Sequence, residues 1–415
     1  MLLLVVRAEA FKWGRIRTST DSSVYRPRDD RVDGDISTVP RTTGKGEVMF
    51  RVSSARTSRR LFEVGRHVGL LAALALLALV LARGASPADG PTPDTRLLST
   101  YQPVLVFHPS EVFRPTKVQS FIEDSELERF VGSSLAQLPL DAFWTVVDPD
   151  PQPGELPGPA PGVFYRLDQV GCEADAALAG RTCYANAWTE GSGGAAVYGR
   201  AVRTETKIVL QYWLFYYDNP LVLPTTPFGA FWQSHEGDWE VVNVVLGTDE
   251  EPLEAAYSQH CSGQRKAWAA VTKSSIGSTH PIAYVALGSH ANYFAPGAGS
   301  LGSIPISSAC IPTAVAPILP LLPFLQVVDQ VLDGSNDGAV VGPSGSGVDS
   351  ATIHRIEGTA WSVFGGRWGE SEYFFTPIPL GPIPAGAVPV GIAPASPANQ
   401  QSWNVQTVLG WPLAP

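Results

Sequence analysis

The chain of 415 residues lacks the short motifs that mark many catalytic sites. It contains no Gly-x-Ser-x-Gly nucleophile elbow, no His-Glu-x-x-His zinc helix and no phosphate-binding loop. It also has no Asn-x-Ser/Thr sequon, so N-glycosylation is not implied. These absences leave the common serine hydrolases, zinc peptidases and P-loop nucleotidases without support from sequence motifs.

Charged residues are also few, at 16% of the chain, and their signs are unevenly distributed. Residues 1–88 contain 15 Lys and Arg against 8 Asp and Glu, whereas residues 89–415 contain 14 against 31. The body of the chain therefore carries a net charge of −17. Nucleic-acid phosphates would repel it, so we do not expect a nucleic-acid partner.

The longest apolar run, residues 68–82, has 15 residues, and a membrane span needs roughly 20. Arginines precede this run, and the small residues of 84–88 follow it. This order is typical of a secretory signal, so residues 49–88 are predicted to be a signal peptide, with an uncleaved N-terminal anchor as the alternative. Residues 1–48 are predicted to be untranslated, with the start at Met49, or disordered. The protein is expected to be extracellular or at the cell surface.

Cysteines are scarce, but all four lie beyond the apolar run. An even number in an exported chain predicts two disulfides, and three pairings are open. A bond between Cys172 and Cys183 would close a short loop, which leaves Cys261 to pair with Cys310. Buried free thiols are the alternative.

Long helical periodicity is scarce too, and the chain has 40 Gly and 36 Pro. Residues 207–218 are rich in β-branched and aromatic side chains on both alternating faces, which favours a strand buried between two layers. The best helix candidate is Glu123–Leu138. We expect an all-β fold, a single β-sandwich domain over residues 89–415 with long Pro/Gly-rich loops and few short helices. Further candidate strands are 240–246, 267–272, 281–287 and 372–376.

The chemistry is concentrated in residues 234–240, with the sequence Ser-His-Glu-Gly-Asp-Trp-Glu. In a strand beginning near Asp238, that residue and Glu240 share one face, and Gly237 could turn His235 toward them. Two adjacent carboxylates favour a hard divalent cation, Ca²⁺ or Mg²⁺, with Mn²⁺ or Zn²⁺ as alternatives. Ion pairs of the carboxylates with arginines such as Arg200 or Arg367 would be the structural alternative.

His290, at the end of a predicted strand, has two interpretations. It could be a core histidine satisfied by hydrogen bonds, or it could line the same cleft as the carboxylates.

The segment His-x-Gly-Asp-Trp-Glu resembles the signature of the vacuolar protein sorting 62-related family. YQPVLVFHP (101–109), LQYWLFY (210–216), LGSHANY (287–293) and GGRWG (365–369) agree with that family in type and order. More distantly, residues 210–240 are similar to the necrosis- and ethylene-inducing-peptide-like proteins, whose heptapeptide reads Gly-His-Arg-His-Asp-Trp-Glu. Gly237 departs from it, because that heptapeptide has a second histidine there.

The second resemblance implies a β-sandwich that holds a divalent cation and acts on lipid membranes. Its metal ligands correspond to Asp218, His235, Asp238 and Glu240 here. We therefore expect a secreted protein that binds a membrane-lipid or glycan surface. A metal-dependent hydrolase and a structural or trafficking-related exported domain remain as alternatives, and no protein partner is indicated.

Overall fold

The computed structural model describes residues 92–132, 144–172, 183–185, 194–222, 232–260, 262–275, 277–300, 328–330, 338–343, 349–376 and 386–414. The predicted signal segment 49–88, Cys261, Cys310 and much of the Pro-rich stretch 312–348 lie outside these residues. The described helices are short: α1 (Pro93–Thr100), α2 (Val118–Glu123), α3 (Val405–Leu409) and the 3₁₀ turns Trp268–Ala270, Ala360–Val363, Pro397–Asn399 and Gln401–Trp403.

The described strands number 18 and form sheets, which confirms the all-β prediction. They are β1 (Val104–Phe107), β2 (Ser125–Val131), β3 (Thr145–Asp148), β4 (Val163–Gln169), β5 (Ala196–Arg203), β6 (Lys207–Val222), β7 (Trp232–Gly247), β8 (Pro252–Gln259), β9 (Ser262–Ala267), β10 (Ile282–Val285), β11 (Asn292–Tyr293), β12 (Ala298–Ser300), β13 (Val328–Gln330), β14 (Val340–Gly342), β15 (Asp349–Ser350), β16 (Thr352–Arg355), β17 (Glu372–Thr376) and β18 (Gly386–Gly391).

The largest sheet has the order β16-β5-β6-β7-β8-β9, and only its β16–β5 pair is parallel. Its two longest strands, β6 and β7, pair along their whole length. The described side chains of β6 after Lys207 are almost all buried, as a strand covered on both faces requires.

A second sheet, of order β11-β10-β1-β14-β15, packs on one face of the largest sheet. Phe107 of β1 meets Tyr216 of β6 edge to face at 6.5 Å between ring centroids. Tyr257 of β8 stacks on Phe294 at 4.0 Å and donates a hydrogen bond to the carbonyl oxygen of Ile282. These contacts join the two sheets into a sandwich.

The opposite face of the largest sheet is covered by aromatic side chains from the C-terminal third of the chain. Trp239 of β7 stacks on Trp361 at 5.7 Å and meets Trp368 edge to face at 5.3 Å. Trp213 of β6 packs on Trp403 at 5.8 Å. The loop containing Trp368 is therefore held against β7, which is where the candidate site begins.

Smaller sheets complete the fold: β3-β2-β4, and the pairs β12–β13 and β17–β18. The sheet β3-β2-β4 corrects the predicted helix Glu123–Leu138, because Ser125–Val131 pairs along its length with β4. This pairing between distant segments outweighs the local helical preference of the sequence.

The predicted strand 267–272 is also wrong, since β9 ends at Ala267 and a 3₁₀ turn follows. The last pair of that ladder joins Ala267 to Glu254. Trp268 then turns away and packs edge-on against Tyr101 at 5.9 Å.

Candidate functional site

Gly237 divides the acidic residues of β7 into two groups. The strand begins at Trp232, earlier than predicted, and Gly237 lies inside it with φ of +57°. A Cβ atom there would lie 2.2 Å from the carbonyl oxygen of Trp368, so only glycine fits. On one side of Gly237, Glu236 bonds to Gln169 and Glu370, and on the other side Asp238 bonds to His290.

The first group, which we call the Asp238 group, consists of Asp238, Glu240, His290, Glu111 and Tyr216. His290 Nδ1 lies 3.0 Å from Asp238 Oδ2, and its Nε2 lies 3.6 Å from Glu111 Oε1. The Tyr216 ring is parallel to the imidazole at 3.8 Å. Ser258 donates its hydroxyl hydrogen to Glu240. One buried histidine, His290, therefore lies between the carboxylates of two segments, Asp238 of β7 and Glu111 of the loop before α2.

His290 is held as a cation. Burial opposes its charge, but the attraction of the Glu111 charge and the hydrogen bond to Asp238 outweigh burial and raise the pKa of His290 to about 9. The Glu111 carboxylate is fixed in turn by the backbone N–H groups of Phe113 and Gly288. His290 also has a positive φ of 55°, a strained conformation for a residue with a Cβ atom.

His235 is beside Asp238 but has both ring nitrogens engaged. Burial lowers the pKa of His235, although the charge of Asp238 opposes this shift, so the ring is neutral at pH 7. Its Nδ1 lies 2.7 Å from the carbonyl oxygen of Gly237, which can only accept, so Nδ1 carries the proton. Its Nε2 then accepts from the Asn219 amide at 2.9 Å.

Several buried polar atoms near the Asp238 group have no hydrogen-bond partner within the described residues. The Tyr216 hydroxyl is one, and the negative charges of Asp238, Glu240 and Glu111 add to burial in raising its pKa well above 10. Both amide atoms of Asn292 are others. Buried polar groups usually bond to protein or to ordered water, so these atoms mark a place that water or an ion would satisfy.

The second group, which we call the Glu236 group, consists of Asp168, Glu236 and Glu370. Each offers a carboxylate oxygen, and these oxygens lie within 4.8 Å of one another. Within the described residues, this is the set of three His, Cys, Asp or Glu side chains whose ligand atoms come this close, and it could hold a metal ion.

The Glu236 group is surrounded by further polar contacts. Tyr184 donates its hydroxyl hydrogen to Glu236 at 2.8 Å. Asp218 is opposite Glu236 in the β6–β7 register, and both carboxylates raise the pKa of Tyr184 after burial does. The Arg166 guanidinium contacts Asp168 at 3.4 Å and Glu370 at 3.6 Å.

Even with Arg166 present, Glu236 is short of compensating positive charge. Burial and then the charge of Asp168 raise the pKa of Glu236 well above its ordinary 4.5, although three hydrogen bonds oppose the shift. A buried carboxyl group in this position keeps its proton unless a cation replaces it.

A disulfide holds one edge of the Glu236 group. Cys172 and Cys183 are bonded, as predicted, with Cα atoms 5.7 Å apart. Cys172 closely follows Gln169, which donates its backbone N–H to Glu236. Cys183 directly precedes Tyr184, so the bond ties together two segments that contact the same carboxyl group.

The structure thus divides the residues singled out in the sequence. Asp238, Glu240, His235 and His290 lie in or beside the Asp238 group, whereas Asp218 lies beside the Glu236 group. The side chains of Asp218, Asp238 and Glu240 are all buried. Asp238 pairs with His290, and Arg200 lies over the Trp403 ring instead of pairing with Asp238. The four-residue ligand set stays a prediction.

Sequence reasoning missed Glu236, Asp168, Glu370 and Glu111 as members of these groups. Glu236 stands within the motif, but strand alternation would have placed it with Asp238 and Glu240. Glu370 directly follows the segment GGRWG, and this position next to a motif was the signal that could have pointed to it. Asp168 and Glu111 are far from the motif in sequence, and only the fold brings Asp168 close to Glu236 and Glu111 close to His290.

Comparisons with known proteins give limited likenesses. No protein-family model and no curated protein matches the chain, so the resemblance to the vacuolar protein sorting 62-related family stays a prediction. Among solved structures, the chain is similar to a triple mutant of NLPPya at 16% identity, with 51% of this chain and 69% of that chain covered and a TM-score of 0.26.

Two further solved structures are similar at the same level. Necrosis and Ethylene inducing Protein 2 from the causal agent of cocoa's Witches Broom disease is 16% identical, with 48% of this chain and 66% of that chain covered and a TM-score of 0.22. NLPPya in complex with glucosamine is 14% identical, with coverages of 51% and 69% and a TM-score of 0.23. These neighbours belong to the more distant of the two families named above, and likenesses this weak carry no functional argument.

None of the helices in the described ranges combines the length and apolar character that crossing a bilayer needs.

Proposed function

We propose that this protein is an exported β-sandwich that binds a divalent cation at the Glu236 group. The observation that carries the proposal is the convergence of Asp168, Glu236 and Glu370 within 4.8 Å, from β4, β7 and the loop after Trp368. Three carboxylates at this range suit a hard cation such as Ca²⁺ or Mg²⁺. The cation would replace the proton that Glu236 otherwise keeps.

The residues present fit such an ion. Glu236 is fully buried and Glu370 nearly so, and the backbone N–H groups of Gln169 and Glu370 fix one oxygen of Glu236. Asp218 is opposite Glu236 and adds negative charge to the same region. The side chains would hold the cation and position it, while Arg166 balances part of the remaining charge.

The Asp238 group is the second candidate for the cation, and it contains two of the four predicted ligands, Asp238 and Glu240. The buried, unpartnered Tyr216 hydroxyl and Asn292 amide support it. Two features favour the Glu236 group over it: His290 already supplies a positive charge to Asp238, and His235 has no ring nitrogen left for a metal.

The test is thermal unfolding with excess Ca²⁺ or Mg²⁺ and with EDTA. A cation at 100 times its dissociation constant would stabilise the native protein by about 2.7 kcal/mol. We expect Glu370→Gln to lose this stabilisation, while Asp238→Asn and the exposed control Glu205→Gln keep it. Loss in Asp238→Asn alone would place the cation at the predicted set, and no effect of EDTA on any variant would refute cation binding.

The role of the bound cation follows from the sequence resemblance alone: contact with a glycan or lipid surface. Leakage of lipid vesicles and retention on immobilised hexosamine would measure this role directly. Cation-dependent turnover of an ester or phosphoester panel, without either activity, would instead favour the hydrolase alternative.

A further inference from the structure

A cleft of about 770 Å³ opens between α1, the end of β5 and β16. No residue of the Asp238 or Glu236 group lines it. Its volume is within the range of pockets that take small organic ligands. Gly199 to Ala201 form one wall where β16 stops pairing with β5, so the end of the short strand β16 creates the opening.

The charges around this cleft are unevenly matched. Asp94 is paired with Arg203 at 2.8 Å, and Glu357 with Arg355 at 3.4 Å. Arg200 forms no ion pair with a carboxylate of the described residues. Its Nε and Nη1 atoms are buried and have no hydrogen-bond partner there.

The Arg200 guanidinium is held in place by an aromatic ring. Its central carbon lies 3.6 Å from the centroid of the Trp403 ring. Stacking of this kind orients a guanidinium but satisfies none of its N–H donors. Guanidinium donors are well matched to carboxylate and phosphate oxygens, so the group is prepared for an anion that the fold itself does not provide.

Two histidines and a hydroxyl add to the lining. His354 Nε2 is buried without a partner, and burial, followed by the charge of Lys117, lowers the pKa of His354, so the ring is neutral at pH 7. His280 donates from Nδ1 to the carbonyl oxygen of Gln102, which leaves Nε2 as an acceptor for a ligand hydroxyl. Thr352 also lines the cleft.

We propose that this cleft binds a small organic oxyanion of sugar size, a carboxylate or a phosphate ester, whose charged group pairs with Arg200. Apolar contacts from Leu98 and Ile353 would pack against the body of the ligand. The inference is independent of the cation site.

Isothermal titration of the full chain tests the inference with D-glucuronate, D-glucose 6-phosphate and uncharged D-glucose. We expect one of the two anions to bind saturably and D-glucose not to bind; which anion binds identifies the charged group. Arg200→Gln should weaken binding by about tenfold or more, since a charged hydrogen bond is lost. Arg129→Gln, an exposed arginine outside the cleft, is the matched control.

A second variant, Glu357→Gln, keeps the test informative if Arg200→Gln does not fold. The Glu357 charge is the one that Arg200 experiences most strongly, so its removal should tighten binding of the anion severalfold. The proposal would be overturned if neither anion bound saturably. It would also be overturned by unchanged binding in Arg200→Gln or by weaker binding in Glu357→Gln.

Discussion

At the scale of single residues, two glycines place a carboxyl group where it cannot easily ionise. Gly237 lets β7 pass against the carbonyl oxygen of Trp368, and a Cβ atom on Gly369 would lie 2.3 Å from the Cβ of Glu236. This close approach lets the Glu370 N–H reach Glu236 at 2.9 Å. The same contact buries Glu236 beside other carboxylates, which is why its pKa rises.

The raised pKa of Glu236 predicts a pH dependence of stability. In the absence of a cation, the proton on Glu236 favours the folded state fully below about pH 4.5, the pKa of the unfolded chain, and this contribution is lost as pH rises toward the folded pKa. One such group changes the unfolding free energy by at most about 1.4 kcal/mol per pH unit.

Glu236→Gln keeps the shape and hydrogen-bonding ability of the side chain but cannot titrate. With EDTA present, chemical unfolding from pH 4 to 8 should show a flatter profile for this variant than for the wild type. At pH 7 the variant should be at least as stable. Glu205→Gln should follow the wild type throughout, and parallel profiles for Glu236→Gln and wild type would show that Glu236 does not hold the proton.

At the scale of elements, the disulfide after β4 joins the two segments that contact the Glu236 carboxyl group. The bond closes a separation of 11 residues, which by loop entropy stabilises the fold by about 3 kcal/mol. Reduction should lower stability by that amount and weaken the contact of Tyr184 with Glu236. Peptide mapping without reduction should link Cys172 to Cys183, and alkylation of all four cysteines in native, oxidised protein would contradict the export hypothesis.

Elements also show what the sequence could and could not predict. Strands such as β6 and β7 were predictable because continuous runs of β-branched and aromatic residues indicate a buried strand. The helix expected at Glu123–Leu138 failed because β4, about 40 residues away, pairs with that segment. The hydrogen bond of buried His290 to Asp238 agrees with both interpretations given to that histidine, a hydrogen-bonded core residue and a neighbour of the carboxylates. The Glu236 group was not predictable, because a single left-handed glycine reverses the alternation on which strand reasoning depends.

At the scale of the whole molecule, the charge of the body and the disulfide are both consistent with the export hypothesis. The body is strongly acidic, and the described disulfide is of the kind that persists in oxidising surroundings. Millimolar calcium outside cells would load even a weak carboxylate site, since extracellular calcium modules bind at about 10⁻⁴–10⁻³ M. Export, the disulfide and the cation site are therefore parts of one hypothesis.

Export itself is open to direct measurement. Residues 49–88, fused to a reporter enzyme, should carry the reporter out of the cytoplasm, because a basic segment, 15 apolar residues and a small-residue exit occur in the order that secretion requires. Mass spectrometry of the exported protein should place its N-terminus between Arg83 and Asp89. An arginine-to-glutamate change at Arg59 and Arg60 removes the basic character before the apolar run and should slow export, whereas the same change at Arg15 and Arg17 should not. An intact N-terminus on exported protein would favour the anchor, and a reporter kept inside the cell would refute the export hypothesis.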